Sequence, residues 1–171
     1  RNVPLKHGHY GNAILCRHPL HDPLDIDLTI RFKKRRRAQA ARLLLDVDGH
    51  RRTVVVVNVH LGLAGVERRM QVRRLLMVEA LRRVRRSTPM VVAGDYNDVW
   101  GRLGQGILKQ AGFQPAHGPI KTFPAAMPLR PLDRVFYRGH LEVAHAMAGR
   151  AEIARRASDH LPLVVDFTFA S

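Results

Sequence analysis

The sequence predicts a mixed α/β sandwich, sheets covered by helices on their outer faces, and three observations carry that reading. β-rich runs recur along all 171 residues. Only one long helical pattern, Val66 to Arg86, interrupts them. No internal repeat or low-complexity linker divides the chain, and 46% hydrophobic residues suffice for a core, so one domain over residues 1–171 is expected.

The elements follow in order. "GNAILC" (Gly11 to Cys16) is a short apolar run, and "LDIDLTIRF" (Leu24 to Phe32) alternates with the period of two of a half-buried strand, so a strand is expected at each. Asp48-Gly49 joins the next two β-rich runs as a hairpin, because a type I′ turn needs positive φ at its turn residues. Val54 to Val57, branched at every position, is expected as a central strand buried on both faces. Val66, Met70, Met77, Leu81 and Val84 then predict one helix of about six turns, their stripe facing the core and arginines facing out. "STPMVVAG" is a breaker followed by a strand, with Gly94 expected to turn the chain out of it. Arg102 to Ala111 is a short helix stopped by Gly112, and a proline-rich loop spans Pro115 to Pro131. "LDRVFYR", "LEVAHAMA" and "LPLVVDFTF" are the last strands, the final two separated by "GRAEIARRASD".

Lys and Arg outnumber Asp and Glu by 29 to 14, for a formal charge of +15, so the surface attracts anions and phosphate-bearing partners lead. "KKRRR" (Lys33 to Arg37) is read as a solvated loop. The single cysteine, Cys16, excludes an intrachain disulfide and a cysteine-rich zinc site, and is expected as a buried thiol. No apolar run reaches 18 residues. Arg1 in place of Met leaves an upstream segment open, so the expected localisation is cytoplasmic or peripheral to a membrane.

Polar residues gather where strands stop: Asn58 and His60 after "VVVV", Asp95 and Asn97 after "VVAG", Asp133 in "PLDRVF", and Asp159 and His160 in "ASDHLPL". Strand ends hold side chains rigidly while loops admit substrate, so the set suits an active site at one sheet edge.

"GNAILCRHPL", "NVHLGL", "ERRMQVRRL", "VVAGDYND", "LDRVFYRG" and "SDHLPLVVDF", in this order and spacing, resemble the endonuclease/exonuclease/phosphatase superfamily, the deoxyribonuclease I-like metal-dependent phosphoesterases. The resemblance implies a deoxyribonuclease I-like fold and hydrolysis of a P–O bond with Mg2+ or Mn2+, hard cations that prefer carboxylate and amide oxygens. On this resemblance Asp95 orients or deprotonates the attacking water, and Asn97 helps hold the metal or the phosphate. His160 and Asp133 form the family's His-Asp pair, Asp159 coordinates metal, and His60 and Asn58 donate to the scissile phosphate. Asn12 and Arg68 are carried as substrate contacts below this main set, with two readings open: Arg68, like Arg17 and Gln71, contacts phosphate or only braces the site, and Asn12 lines the pocket or bonds a neighbouring loop. Tyr96 stands where the family more often has Phe, and Arg134 where His or Tyr is frequent.

The main departure is at the start. The family's N-terminal strands carry an Asn and a Gln-Glu motif whose glutamate binds metal, and the ten residues before Gly11 hold no counterpart. The resemblance therefore implies a domain incomplete at its N-terminus, weak or inactive alone and prone to self-association through exposed sheet edges. Nucleic acid is the favoured partner, with phospholipid or a small phosphoester as alternatives. The competing class is a noncatalytic anion- or nucleic-acid-binding remnant of the fold.

Overall fold

Asp48 and Gly49 take φ values of 51° and 74°, the positive pair that the hairpin turn requires. They join β4 (Arg37–Val47) to β5 (His50–His60) in a computed structural model of the chain that describes residues 3–4 and 9–170. Two short strands, β1 (Val3–Pro4) and β2 (His9–Tyr10), pair with each other. β3 (Leu20–Asp27) pairs with β4 on the far side from β5.

From β5 the chain crosses through α1 (Gly65–Met77) and α2 (Glu79–Arg82) and returns as β6 (Met90–Asp95), parallel to β5. A parallel pair needs such a long connection, and here the helices supply it. A π-type helical turn (Gly104–Leu108) and β7 (Gln114–Pro115) precede β8 (Asp133–Arg138), antiparallel to β6. The order of the main sheet is β3-β4-β5-β6-β8-β7, and β9 (Leu141–Ala148) with β10 (Leu163–Phe169) forms a second sheet. Between them lies α3 (Glu152–Ala157).

Three layers result. Val55, Val57 and Val59 of β5 pack with Met90 and Val92 of β6 against Val72, Leu75 and Leu81 of the helices. The opposite face of β8, with Val135 and Tyr137, packs against the second sheet through Leu141, Val143, Val165 and Phe167. The mixed sandwich expected from the sequence is what forms; of the β5 valines Val54, Val55 and Val57 are buried, while Val56 is only half-buried.

Several expectations are corrected. Gly11 to Cys16 is irregular chain, because Asn12 and Ala13 bond across to Arg37 and Asn58 instead of joining a ladder. Cys16 is exposed. The alternation from Leu24 stops at Asp27, whose carboxylate accepts from the Thr29 N–H and turns the chain.

The long helix breaks at Val78, which is extended (φ −62°, ψ 119°). At 100° per residue an unbroken helix would carry Arg82 inward in line with Leu75; the break re-phases α2 so that Leu81 is buried and Arg82 exposed. The stripe of Val66, Met70 and Met77 is exposed as well, and α1 buries Glu67, Gln71, Val72 and Leu75 instead. The polar pair has a cause: Gln71 Oε1 accepts from Gly62 N at 2.8 Å and its amide reaches Glu67 at 3.2 Å, locking the β5–α1 turn.

Gly94 stays inside β6, paired with Val59 and Arg134. Its φ is +137°, and a Cβ there would lie 2.0 Å from the Val59 carbonyl oxygen, so this glycine permits close approach of β5 and β6.

Candidate active site

β5, β6 and β8 bring three side chains into one row. In the ladder His60 pairs with Asp95, and Asp95 with Asp133, at the end of the sheet where β5 and β6 finish and β8 begins. Cross-strand neighbours share a face, so the three project together on the side of the second sheet. His160, just ahead of β10, completes the group: its Nδ1 lies 2.7 Å from Asp133 Oδ2.

The loops are braced by backbone bonds: Leu61 N–H donates to the Asp95 carbonyl, Tyr96 N–H to Leu132 and Leu161 N–H to Thr122. Asp95 Oδ1 accepts the Asn97 N–H at 2.8 Å in an Asx turn, which lets Asn97 adopt φ 49°. The Asn97 amide donates to the Leu61 carbonyl at 3.0 Å. Tyr96 is buried beneath, its ring edge-on to Phe136 at 5.2 Å and its hydroxyl donating to the Val92 carbonyl at 3.2 Å. That bond satisfies the one polar atom that separates Tyr from the Phe more frequent in the family.

The two imidazole–carboxylate pairs have opposite electrostatics. His60 Nε2 is 3.5 Å from Asp95 Oδ2, yet burial, assisted by the Arg36 charge, pushes the His60 pKa down to about 4, so at pH 7 the contact is not an ion pair. Burial likewise raises the Asp95 carboxyl above its ordinary range; the Asn97 N–H opposes this and the charge of Asp133 adds to it. For His160 burial opposes protonation. The hydrogen bond that its Nδ1–H donates to Asp133 and the charges of Asp133, Asp95 and Asp159 together outweigh it and raise the pKa.

The remaining residues named from the sequence are placed as follows. Asp159 is exposed beside His160, held through its carbonyl by the Ala125 N–H at 2.7 Å. The Asn58 amide donates to the Ala13 carbonyl at 2.9 Å, and the Asn12 amide to the Arg37 carbonyl at 3.0 Å, so both tie the 11–19 segment to the sheet. Arg68 bonds the Leu63 carbonyl and lies 4.0 Å from Asp98, with 12% of its side chain exposed, which braces the loops after β5 and β6. Gln71 is buried in the turn lock described above and Arg17 is exposed.

Hard oxygen donors are present in Asp95, Asn97 and Asp159. Among the described residues, however, no three His, Cys, Asp or Glu side chains converge as a cation requires. One Asp95 oxygen already accepts the Asn97 N–H, and the other lies against His60. The residues described do not by themselves make a resident metal site, since magnesium asks for near-octahedral oxygen ligation.

Two contributors escape sequence reasoning. Thr122, fully buried in the proline-rich loop, donates its hydroxyl to Asp133 Oδ2 at 2.5 Å. Nothing local marks it, because its partner lies across a turn closed by Phe123 and Arg130. Arg36, inside the run read as solvated, is half-buried, its charge acts on both His60 and Asp95, and its Nε is buried without a hydrogen-bond partner.

Comparisons with known proteins agree with this architecture. The sequence profile of the Endonuclease/Exonuclease/phosphatase family matches residues 2–160. Uncharacterized protein YbhP of Escherichia coli K12 is 33% identical, over 95% of this chain and 64% of its own length, so the chain spans just under two thirds of that relative. Among solved structures, mannosyl-6-phosphatase Bt3783 of Bacteroides thetaiotaomicron superposes with a TM-score of 0.70 at 14% identity, covering 88% of this chain and 67% of that one. TDP2 of D. rerio, complexed with single-strand DNA product, does so at 0.65 and 17% identity, covering 87% and 68%.

Proposed function

This chain belongs to the endonuclease/exonuclease/phosphatase family, and from that premise we propose that it hydrolyses phosphoester bonds, most directly phosphodiesters, in a divalent-cation-dependent reaction. The observation that carries the reading is the pair of imidazole–carboxylate units set side by side, one with a neutral imidazole at pH 7 and one whose protonation is favoured. Environments that push like groups apart in pKa are what acid and base roles require.

In this reading a phosphoryl group lies against His60 and His160. Protonated His160, oriented by Asp133 and Thr122, donates to its oxygens and offsets the charge that grows in the transition state. Asp95, raised by burial, takes a proton from the attacking water. The water oxygen bonds to phosphorus, the P–O bond to the leaving alcohol breaks, and a proton passes to that alcohol. Asn97 and Asp159 stand beside this path as phosphate or cation contacts. Mg2+ or Mn2+ would supply further neutralisation of the phosphoryl oxygens; with the donor set incomplete among the described residues, no step is assigned to it.

The relatives support the reaction class, one being a phosphatase and one a protein complexed with DNA product. The formal charge of +15 favours phosphate-rich partners, nucleic acid or phospholipid, by sign. The incomplete donor set favours a second reading, an anion-binding remnant without catalysis.

Manganese- or magnesium-dependent hydrolysis of bis-p-nitrophenyl phosphate, with Asp95→Asn as the control, separates the two. Product release that requires both cation and Asp95 supports the hydrolase. Phosphate binding without hydrolysis, in this chain and in one extended at its N-terminus, supports the remnant.

A further inference from the structure

Four loops surround the site end of the main sheet: 28–36 between β3 and β4, 61–64 after β5, 96–103 after β6, and 121–132 before β8. Each carries a large apolar side chain that the fold leaves in water. Phe32 is 90% exposed, Leu63 73% and Trp100 76%, with Met127 and Leu129 exposed on the fourth loop. Single exposed apolar residues are ordinary on protein surfaces, but here they recur on every loop at one end, around one site.

The same loops are basic. Arg31 precedes Phe32 and Lys33 to Arg35 follow it, Arg102 follows Trp100, and Arg130 follows Leu129; all are exposed. Their one carboxylate, Asp98, is buried with its oxygens turned toward the Leu103 N–H and Arg68. Exposed Asp27 and Asp159 flank the loops and are outnumbered by these six exposed cations. Apolar tips among a clear excess of cations match a surface that offers negative headgroups above hydrocarbon. Nucleic acid would satisfy the cations and leave Leu63, Met127 and Leu129 unused. No helix among the described residues is long and apolar enough to cross a membrane.

We propose that this end of the molecule docks on an anionic lipid bilayer, inserting the tips of the four loops among the headgroups, so that the phosphoester presented to the site belongs to a membrane phospholipid. The docking stands on the loops alone; the phospholipid as substrate rests on the hydrolase reading above.

Trp100 is the one tryptophan of the chain, so its fluorescence reports directly on a proposed contact. The full chain is titrated with phosphatidylglycerol vesicles, phosphatidylcholine vesicles and a single-stranded oligonucleotide. Expected are a blue shift and co-sedimentation with phosphatidylglycerol only, weakened as added salt shortens the Debye length from about 10 Å to about 3 Å. The double variant Phe32→Ser, Leu129→Ser is expected to bind these vesicles about tenfold more weakly, with an unchanged melting temperature and undiminished hydrolysis of bis-p-nitrophenyl phosphate. No response to phosphatidylglycerol, binding indifferent to the double variant, or a shift with the oligonucleotide alone overturns the docking. Soluble diester hydrolysis without docking removes this inference and leaves the hydrolase reading. Docking without any diester hydrolysis removes the hydrolase reading, and with it the phospholipid substrate, while the surface stands.

Discussion

His160 Nδ1 and Asp133 Oδ2 lie 2.7 Å apart although 27 residues separate them in the chain. The carboxylate also accepts the Thr122 hydroxyl, so it is held from two sides. Because the folded pKa of His160 is raised, the pair's contribution to stability is fully present below about 6.5, the ordinary histidine value. It is lost as pH rises through the folded pKa. Asp133→Asn leaves burial as the main influence and should drop the His160 pKa below its wild-type value, read by NMR titration of the ring. An unmoved titration would show that Asp133 does not control this imidazole.

His60 works in the opposite direction. Its folded pKa of about 4 lies below the ordinary value, so on acidification the unfolded chain takes up the proton first. Stability should therefore fall between about pH 6.5 and about pH 4. The urea midpoint, measured across that window, should depend less on pH in His60→Gln than in the wild type.

Arg36 is expected to act on the site from within a run of five basic residues. Replacing it by Gln removes a cation that disfavours a second positive charge on His60, so the His60 pKa should rise from about 4. The apparent affinity for a phosphodiester should weaken by several-fold, on the order of the 0.5–1.5 kcal/mol of a typical hydrogen bond. If neither the titration nor KM moves, the residue is only solvated surface.

Gly94→Ala should be severe. The new Cβ would meet the Val59 carbonyl at 2.0 Å and Asn58 Oδ1 at 3.0 Å, at a φ that L side chains rarely adopt. Relief requires β5 and β6 to part, and a loss of roughly 3 kcal/mol or more is expected, visible in the melting temperature. Gly106→Ala, where a Cβ meets nothing within 4 Å, is the control and should change it little.

The hairpin at Asp48-Gly49, the β5 valine run and the polar residues at strand ends were legible because each depends on a few neighbouring positions. The α1 register was not. Counting apolar residues selects Val66, Met70 and Met77, while the folded chain buries Gln71 and Glu67 because their hydrogen bonds close a turn that only exists once β5 is in place. α3 and the break at Val78 carry no strong local signal either.

Residue types, their order along the chain and their positions at strand ends can be read without the fold, and they suffice for the family resemblance and for the candidates Asp95, Asn97, Asp133 and His160. The Asp133–His160 pair was already implied by the resemblance, but folding alone sets Asp95 against His60, brings Thr122 and Arg36 to them, and moves the pKa values of the two histidines in opposite directions. The physical reason is that a proton's free energy depends on desolvation and on distance to other charges, and strand pairing and burial set both.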